Sequence, residues 1–253
     1  MSANILKLEN ITKIYDSGIG VKNINLEIKE GEVLALVGES GSGKSTIARL
    51  IVGLLKKDKG EVFFKNINIS DSKKNFKHKI QMIFQSPYSS LNPRYKVREI
   101  ISEGIKYQKI LPKGQKLDDY LISLLTEVGL NENILERYPS ELSGGQRQRI
   151  GIARALAVKP EIIIADECLS ALDTLTQKQI LELLKKIREE RKLTCIFISH
   201  DLSFVKKISD RVVVLKDGEI VEISSKEEIF KEQKHEYTRE LFKYILDLKL
   251  KNF

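Results

Sequence analysis

Gly38-Glu39-Ser40-Gly41-Ser42-Gly43-Lys44-Ser45 fits the spacing G-x-x-x-x-G-K-S/T in full. The glycines let the backbone fold tightly, so that successive N–H groups point at phosphate oxygens. A helix starting near Ser45 adds its positive dipole end to the same anion. Lys44 supplies a mobile cation for β- and γ-phosphates, and the Ser45 hydroxyl offers Mg²⁺ a hard oxygen ligand. Asp166 and Glu167 close the apolar run at residues 162–165. In a parallel sheet, ligands collect at the carboxyl ends of strands, where the 38–45 loop also belongs. That puts Asp166 in position to hold Mg²⁺ through water and Glu167 to polarise an attacking water as general base. His200 follows the apolar run 195–198 and stands at a third such end. Gln85, after Met82-Ile83-Phe84, can reach Mg²⁺ or the water through its amide, although by itself it reads equally as a surface glutamine.

A second anion site is written in Leu142-Ser143-Gly144-Gly145-Gln146, two glycines and a serine just ahead of a helix expected from Gln146 to about Leu156. It is short and lies away from the Mg²⁺ residues in sequence. Its plausible task is to meet the γ-phosphate of a nucleotide held mainly by another subunit, which makes oligomerisation part of the chemistry.

These residues need elements to hold them. Ile24, Leu26 and Ile28 alternate with polar residues as in a half-buried strand. Residues 33–37 form an unbroken apolar run suited to a strand buried on both faces. A helix follows the glycine loop, from Ser45 to about Leu55. Leu121, Leu124, Leu125 and Val128 mark one helical face, with Gly129 as its stop. Ile180, Leu183, Leu184 and Ile187 mark another. Residues 212–215 and 220–221 flank Asp217-Gly218 as a hairpin. The reading is α/β: a nucleotide-binding core over residues 1–88 and 155–230, a helical insertion over 89–154, and a short helical tail over 231–253.

Composition sets outer bounds. The chain has 253 residues, 42% hydrophobic and 31% charged, enough apolar content for a real core and against disorder. No apolar run reaches the ~18–20 residues that span a bilayer. The start MSANILKLEN lacks a basic segment followed by an apolar stretch, so secretion is not expected. Two cysteines, Cys168 and Cys195, cannot make a disulfide framework or a zinc site alone, as suits a soluble protein of a reducing compartment. The net charge of +8 is compatible with nucleic acid, acidic lipid or a phosphate-bearing ligand. It is equally that of a lysine-rich soluble surface, and decides nothing.

Taken together, the sequence resembles the ATP-binding subunits of ABC transporters. GESGSGKST at 38–46, LSGGQ at 142–146, IIIADE at 162–167, SALD at 170–173 and SHD at 199–201 occur in that family's order and span nearly the whole chain. The resemblance implies a RecA-like P-loop core with an antiparallel β-subdomain and an inserted helical subdomain bearing LSGGQ. It makes Thr46 part of the phosphate loop, matches Tyr15 to the aromatic residue that stacks on adenine, and matches Asp173 to the loop that communicates between two nucleotide sites. It implies ATP and Mg²⁺ as cofactors, and a head-to-tail dimer with ATP sandwiched between one subunit's phosphate loop and its partner's LSGGQ.

FQSPYSSLNPRYKV at 84–97, SHDL at 199–202 and HEYTRELF at 235–242 are similar to the nickel/peptide branch of ABC importers. That likeness implies two transmembrane permease subunits, a paralogous second ATPase, an extracytoplasmic solute-binding protein and a place on the cytoplasmic face of the membrane. Two departures matter. Cys168-Leu169 stands where many relatives have Pro-Thr after the catalytic glutamate; Cys168 reads as filler. Many peptide-importing relatives continue past the tail motif into a Pro-rich, Cys-containing extension, whereas this chain stops at Phe253, which leans the expectation toward nickel or a metallophore over larger peptides. The expected function is an ATP-hydrolysing importer motor for nickel, free or chelated, or small peptides. An exporter motor is the nearer rival reading. A soluble ATPase acting on nucleic acid is the farther one, because neither a coiled-coil split nor a second cassette is present; no nucleic acid is expected.

Overall fold

The computed structural model describes residues 3–69, 76 and 78–251. The first residue, Met1, and the last, Phe253, on which two of the expectations touch, lie outside them. In chain order the elements begin with β1 (Asn4–Ile14), β2 (Gly20–Lys29), β3 (Val33–Val37), α1 (Lys44–Ile51), β4 (Lys59–Phe64), β5 (Ile67–Asn68) and β6 (Ile80–Ile83). The helices α2 (Pro87–Ser90), α3 (Val97–Gln108), α4 (Leu117–Glu127) and α5 (Gly144–Leu156) follow, with short 3₁₀ segments at Glu132–Glu136 and Pro139–Glu141. The chain continues through β7 (Ile162–Asp166), α6 (Thr174–Arg191), β8 (Thr194–Ile198), α7 (Leu202–Ile208), β9 (Arg211–Lys216), β10 (Glu219–Ser225), α8 (Lys226–Lys231) and α9 (Glu236–Lys251). It divides into two compact units, residues 1–76 with 194–253, and residues 77–193.

The first unit holds an antiparallel sheet of order β2-β1-β4-β5. It also holds β3 running parallel to both β8 and β9. Alternation decides β2, where Ile24, Leu26 and Ile28 are buried between exposed neighbours. Uniform apolarity decides β3, all five of whose residues are buried. Strands β9 and β10 form the expected hairpin, with Asp217 at φ 48° and Gly218 at φ 81°, the signs a type I′ turn requires. On one side of β3 and β9, Ala35, Val37, Val212 and Val214 pack with Leu202 and Val205 of α7, Ile229 of α8, and Tyr237, Leu241 and Phe242 of α9. The helix after the glycine loop is shorter than expected. It ends at Ile51 rather than near Leu55, because Gly53 turns to φ 71° and the amides of Leu54 and Leu55 both bond back to the Arg49 carbonyl.

In the second unit β6 pairs in parallel with β7, Ile80 opposite Ile162 and Ile83 opposite Ala165. Leu121, Leu124, Leu125 and Val128 are all buried, as their spacing requires. Gly129 adopts φ 72°, and the Leu130 amide reaches back to the Leu125 carbonyl at 2.8 Å, closing α4 in a Schellman-type turn. On α6 Ile180 and Ile187 are buried and Leu183 and Leu184 half-buried, as their spacing requires, and Leu181, outside the expected set, is buried beside them. Arg191 clasps Glu127 with two hydrogen bonds, at 2.6 and 2.5 Å, tying the end of α6 to α4.

Candidate nucleotide site

The phosphate loop belongs to the first unit and runs from the end of β3 into α1. Gly38 sits at φ 152°, and a Cβ there would stand 2.3 Å from the Leu215 carbonyl oxygen, so no side chain fits. Gly43 caps α1 at φ 104°, 2.5 Å from Val21 Cγ1 by the same measure. No side chain caps this helix end, whose first amides have no partner within the helix. The Lys44 ammonium folds back over the loop, donating to the carbonyls of Gly38 at 2.9 Å and Glu39 at 2.7 Å and to the Ser42 hydroxyl at 3.3 Å. The hairpin turn braces the loop, since the Gly218 amide donates to the Ser42 carbonyl at 3.2 Å while the Gly218 carbonyl accepts from Lys22 at 2.9 Å.

Tyr15 and Thr46 meet, their hydroxyls 3.4 Å apart, with Tyr15 exposed and Thr46 half-buried. Ser40 and Gly41 are exposed at the loop's tip, and Ser45 follows Lys44 into α1. His200 is exposed after β8. It is flanked by Ser199, whose hydroxyl accepts from the Asp201 amide at 3.0 Å, and by Asp201, which caps α7 through Ser203 at 2.8 Å. Asp201 belongs to the SHD run quoted from the sequence, but its role as a helix cap is not read there, although an aspartate directly before an apolar-periodic segment is an N-cap signal.

The second unit carries the acidic pair and the signature segment. Asp166 is buried as the last residue of β7. Glu167 leaves the strand at φ 44°, an uncommon conformation for a side-chain-bearing residue, closed by the Ser170 amide and hydroxyl on its carbonyl at 3.1 and 2.9 Å. The Gln85 amide nitrogen donates to the Glu167 carboxylate at 2.9 Å. Cys168 is 2% exposed, and burial pushes its thiol up to about 12, so it is inert filler, as expected.

The signature helix starts two residues earlier than expected, at Gly144, because Ser143 and Gln146 form a reciprocal capping box. The Ser143 hydroxyl accepts from the Gln146 amide at 3.2 Å, and the Gln146 side chain accepts from the Ser143 amide at 3.0 Å. A Cβ on Gly145 would lie 2.8 Å from Thr176 Cγ2. Asp173 caps α6, accepting from the amides of Leu175 and Thr176 at 3.1 and 3.0 Å and from the Thr176 hydroxyl at 2.6 Å. The Thr176 hydroxyl bond, aided by these amides, holds the Asp173 carboxyl below its ordinary range.

Sequence reading missed the arginines that join the segment after Gln85 to α5. The Arg147 guanidinium lies 5.0 Å from the Tyr88 ring centroid, and its Nε donates to the Pro139 carbonyl at 2.7 Å. Arg154 donates to the Ser90 carbonyl at 2.5 Å and lies 6.0 Å from the Phe84 ring centroid. Nothing in the local pattern marks these pairs, which lie about sixty residues apart in the chain.

Residues 21–170 match the family described as ABC transporter. The chain is 48% identical over 246 residues to the oligopeptide transport ATP-binding protein OppF of Streptococcus mutans, covering 94% of this chain and 80% of that one. It is 44% identical over 254 residues to OppF of Bacillus subtilis, covering 97% and 83%. Among solved structures it is similar to cbiO1 from Clostridium perfringens, part of the ABC transporter complex cbiONQ, with TM-score 0.78, 29% identity and coverage of 91% and 92%. It is also similar to the ATP-binding cassette MJ0796, solved as a dimer bound to ADP and Pi, with TM-score 0.76, 36% identity and coverage of 87% and 98%. A complete phosphate loop, a signature segment in the family's order and relatives alike over four fifths or more of their length lead to one conclusion: the chain belongs to the ABC transporter family, as one of its ATP-binding-cassette ATPases.

Proposed function

We propose that this chain is the ATP-hydrolysing motor of a peptide importer, working on the cytoplasmic face of a membrane. The Gln85–Glu167 hydrogen bond carries the catalytic part of this reading, since it fixes a carboxylate directly after a buried strand-end aspartate. The loop amides of residues 38–46 and the Lys44 ammonium bind the β- and γ-phosphates, and Tyr15 stacks on the adenine. Ser45, Asp166 and Gln85 offer hard oxygen donors, too few for a protein cage and suited to Mg²⁺ that also keeps phosphate and water ligands. That ion would neutralise charge on the transferring phosphoryl group. Glu167 takes the proton of the water that attacks the γ-phosphorus as the bond to ADP breaks, and His200 is the second catalytic residue of this reading.

Ser143, Gly144, Gly145 and Gln146 serve the nucleotide held by a second cassette in a head-to-tail pair, a paralogue by the likeness of this branch, and Asp173 links the two sites. The 84–97 segment receives one of two transmembrane permease subunits, and an extracytoplasmic solute-binding protein delivers the cargo to them. No helix among the described residues is long and apolar enough to cross a membrane, as a peripheral motor requires. Relatives named for oligopeptide transport favour peptide over nickel as cargo. The domain division of core, helical insertion at 89–154 and tail at 231–253 remains part of this reading.

The test is reconstitution of the chain with the membrane subunits that co-purify with it, in vesicles supplied with ATP. Peptide uptake that stops in Glu167→Gln is the expected result. Uptake of nickel without peptide would reassign the cargo, and bound nucleic acid without membrane subunits would overturn the transport reading.

A further inference from the structure

The tail motif HEYTRELF has no task in the chemistry above, yet its helix reaches the phosphate loop. The hydroxyl of Tyr237, in the first turn of α9, accepts a hydrogen bond from the Glu39 amide at 3.2 Å. The other end of the same residue is held by Lys44, whose ammonium donates to the Glu39 carbonyl at 2.7 Å. On this side the loop borders an open cavity of about 430 Å³, lined by Ile19, Ser40, Gly41, Lys216 and Tyr237 among others. Close packing therefore does not hold Glu39 there, and directional bonds must.

Tyr237 is itself fixed. Its ring is 5% exposed within the cluster under α9, and the Lys216 ammonium lies 4.8 Å from the ring centroid. Burial raises its phenol, so the hydroxyl stays neutral through the physiological range. The start of α9 is anchored by Glu222, a buried carboxylate that accepts from the amides of Lys234 at 3.1 Å and His235 at 3.0 Å. Nδ1 of His235 then accepts from the Tyr237 amide at 3.2 Å. A continuous chain of contacts runs from Glu222 through the helix start to Tyr237, Glu39 and Lys44.

We propose that Tyr237 is a positioning residue for nucleotide binding, holding the Glu39 peptide in the conformation that presents Lys44 and the loop amides to phosphate. This rests on the assignment of residues 38–46 as the ATP loop. The tail helix is thereby part of the nucleotide site's support.

The experiment is Tyr237→Phe in the full chain, which keeps the ring and removes the hydroxyl. Losing one hydrogen bond should raise the calorimetric Kd for MgATP about 5-fold. In the assembled transporter KM for ATP should rise with kcat at saturating ATP unchanged. Amide exchange at Glu39 should accelerate, a readout that a purely structural tyrosine would not move. Tyr244→Phe, an exposed tyrosine on the same helix, should change none of these. Glu222→Gln should move exchange and Kd in the same direction. Wild-type Kd and Glu39 exchange in Tyr237→Phe overturn the proposal while leaving the ATP loop intact, provided Lys44→Ala loses MgATP. If Lys44→Ala keeps full affinity, the loop assignment falls and this proposal with it. Should Tyr237→Phe fail to fold, unchanged Glu39 exchange in Glu222→Gln overturns it instead.

Discussion

The Gln85 side chain donates a hydrogen bond to the Glu167 carboxylate at 2.9 Å across 82 positions of sequence. The segment proposed to face the membrane subunits is thus tied directly to the proposed general base. Through this bond a shift of the 84–90 segment would act directly on the proposed base. Glu167 cannot follow freely, because its backbone at φ 44° is closed by Ser170.

Glu167→Gln preserves the shape and the bond to Gln85 but removes the base. ATP turnover should fall by about 10²–10⁴-fold, with MgATP binding retained and a closed, ATP-bound dimer accumulating. Gln85→Ala should lower turnover less and weaken its stimulation by transported cargo. Steady-state ATPase assays on the assembled transporter check both, and rapid turnover by Glu167→Gln would remove Glu167 from the role of base.

Arg147 joins α5 to the 84–90 segment through the Tyr88 ring, and its Nε also ties α5 to the carbonyl of Pro139 in the 3₁₀ segment Pro139–Glu141. Arg147→Ala should therefore reduce transport per ATP hydrolysed by several-fold, with little change in MgATP affinity. Parallel uptake and ATPase measurements give the ratio. An unchanged ratio would leave the arginine with a packing role alone.

Gly218→Ala tests the brace behind the phosphate loop. A Cβ there would stand 2.1 Å from the Gly20 carbonyl oxygen, and the φ of 81° is itself unfavourable for alanine. Destabilisation of about 2–4 kcal/mol is expected from strain and overlap together. Denaturant unfolding measures it, and a loss under 1 kcal/mol would show that the turn yields without strain.

Cys168 sets an alkaline limit. Burial, with the Asp166 charge adding to it, pushes the thiol from 9.0 up to about 12 in the folded chain. The folded state holds the proton more tightly, so the contribution is complete below pH 9 and is lost as the pH rises from 9 toward 12. Thermal melts should fall over that window, and the fall should flatten in Cys168→Ala. At pH 8 a thiol reagent should label Cys195 first and reach Cys168 only on unfolding.

Much of this was legible in the sequence because it is local. The 38–46 loop, the apolar runs of β3, β7 and β8, the Asp217-Gly218 turn and the Gly129 stop depend on residues within a few positions of one another. Errors were local too: α1 ends early because Gly53 turns out of the helix, and α5 starts early because Ser143 and Gln146 cap each other. On α6 the expected stripe omitted only Leu181, because helical spacing leaves the edge of an apolar face open until a partner surface covers it.

The sequence by itself determined the family, the order of the motifs and which residue types could meet phosphate, since backbone geometry and chemistry follow from local composition. Only the tertiary structure decided that Gln85 holds Glu167, that two arginines bind the 84–90 segment to α5, and that Tyr237 reaches Glu39 across 198 positions. Such contacts join segments that share no periodicity. They exist because packing of β-strands and helices brings distant side chains within hydrogen-bonding range, and no local spacing encodes that distance.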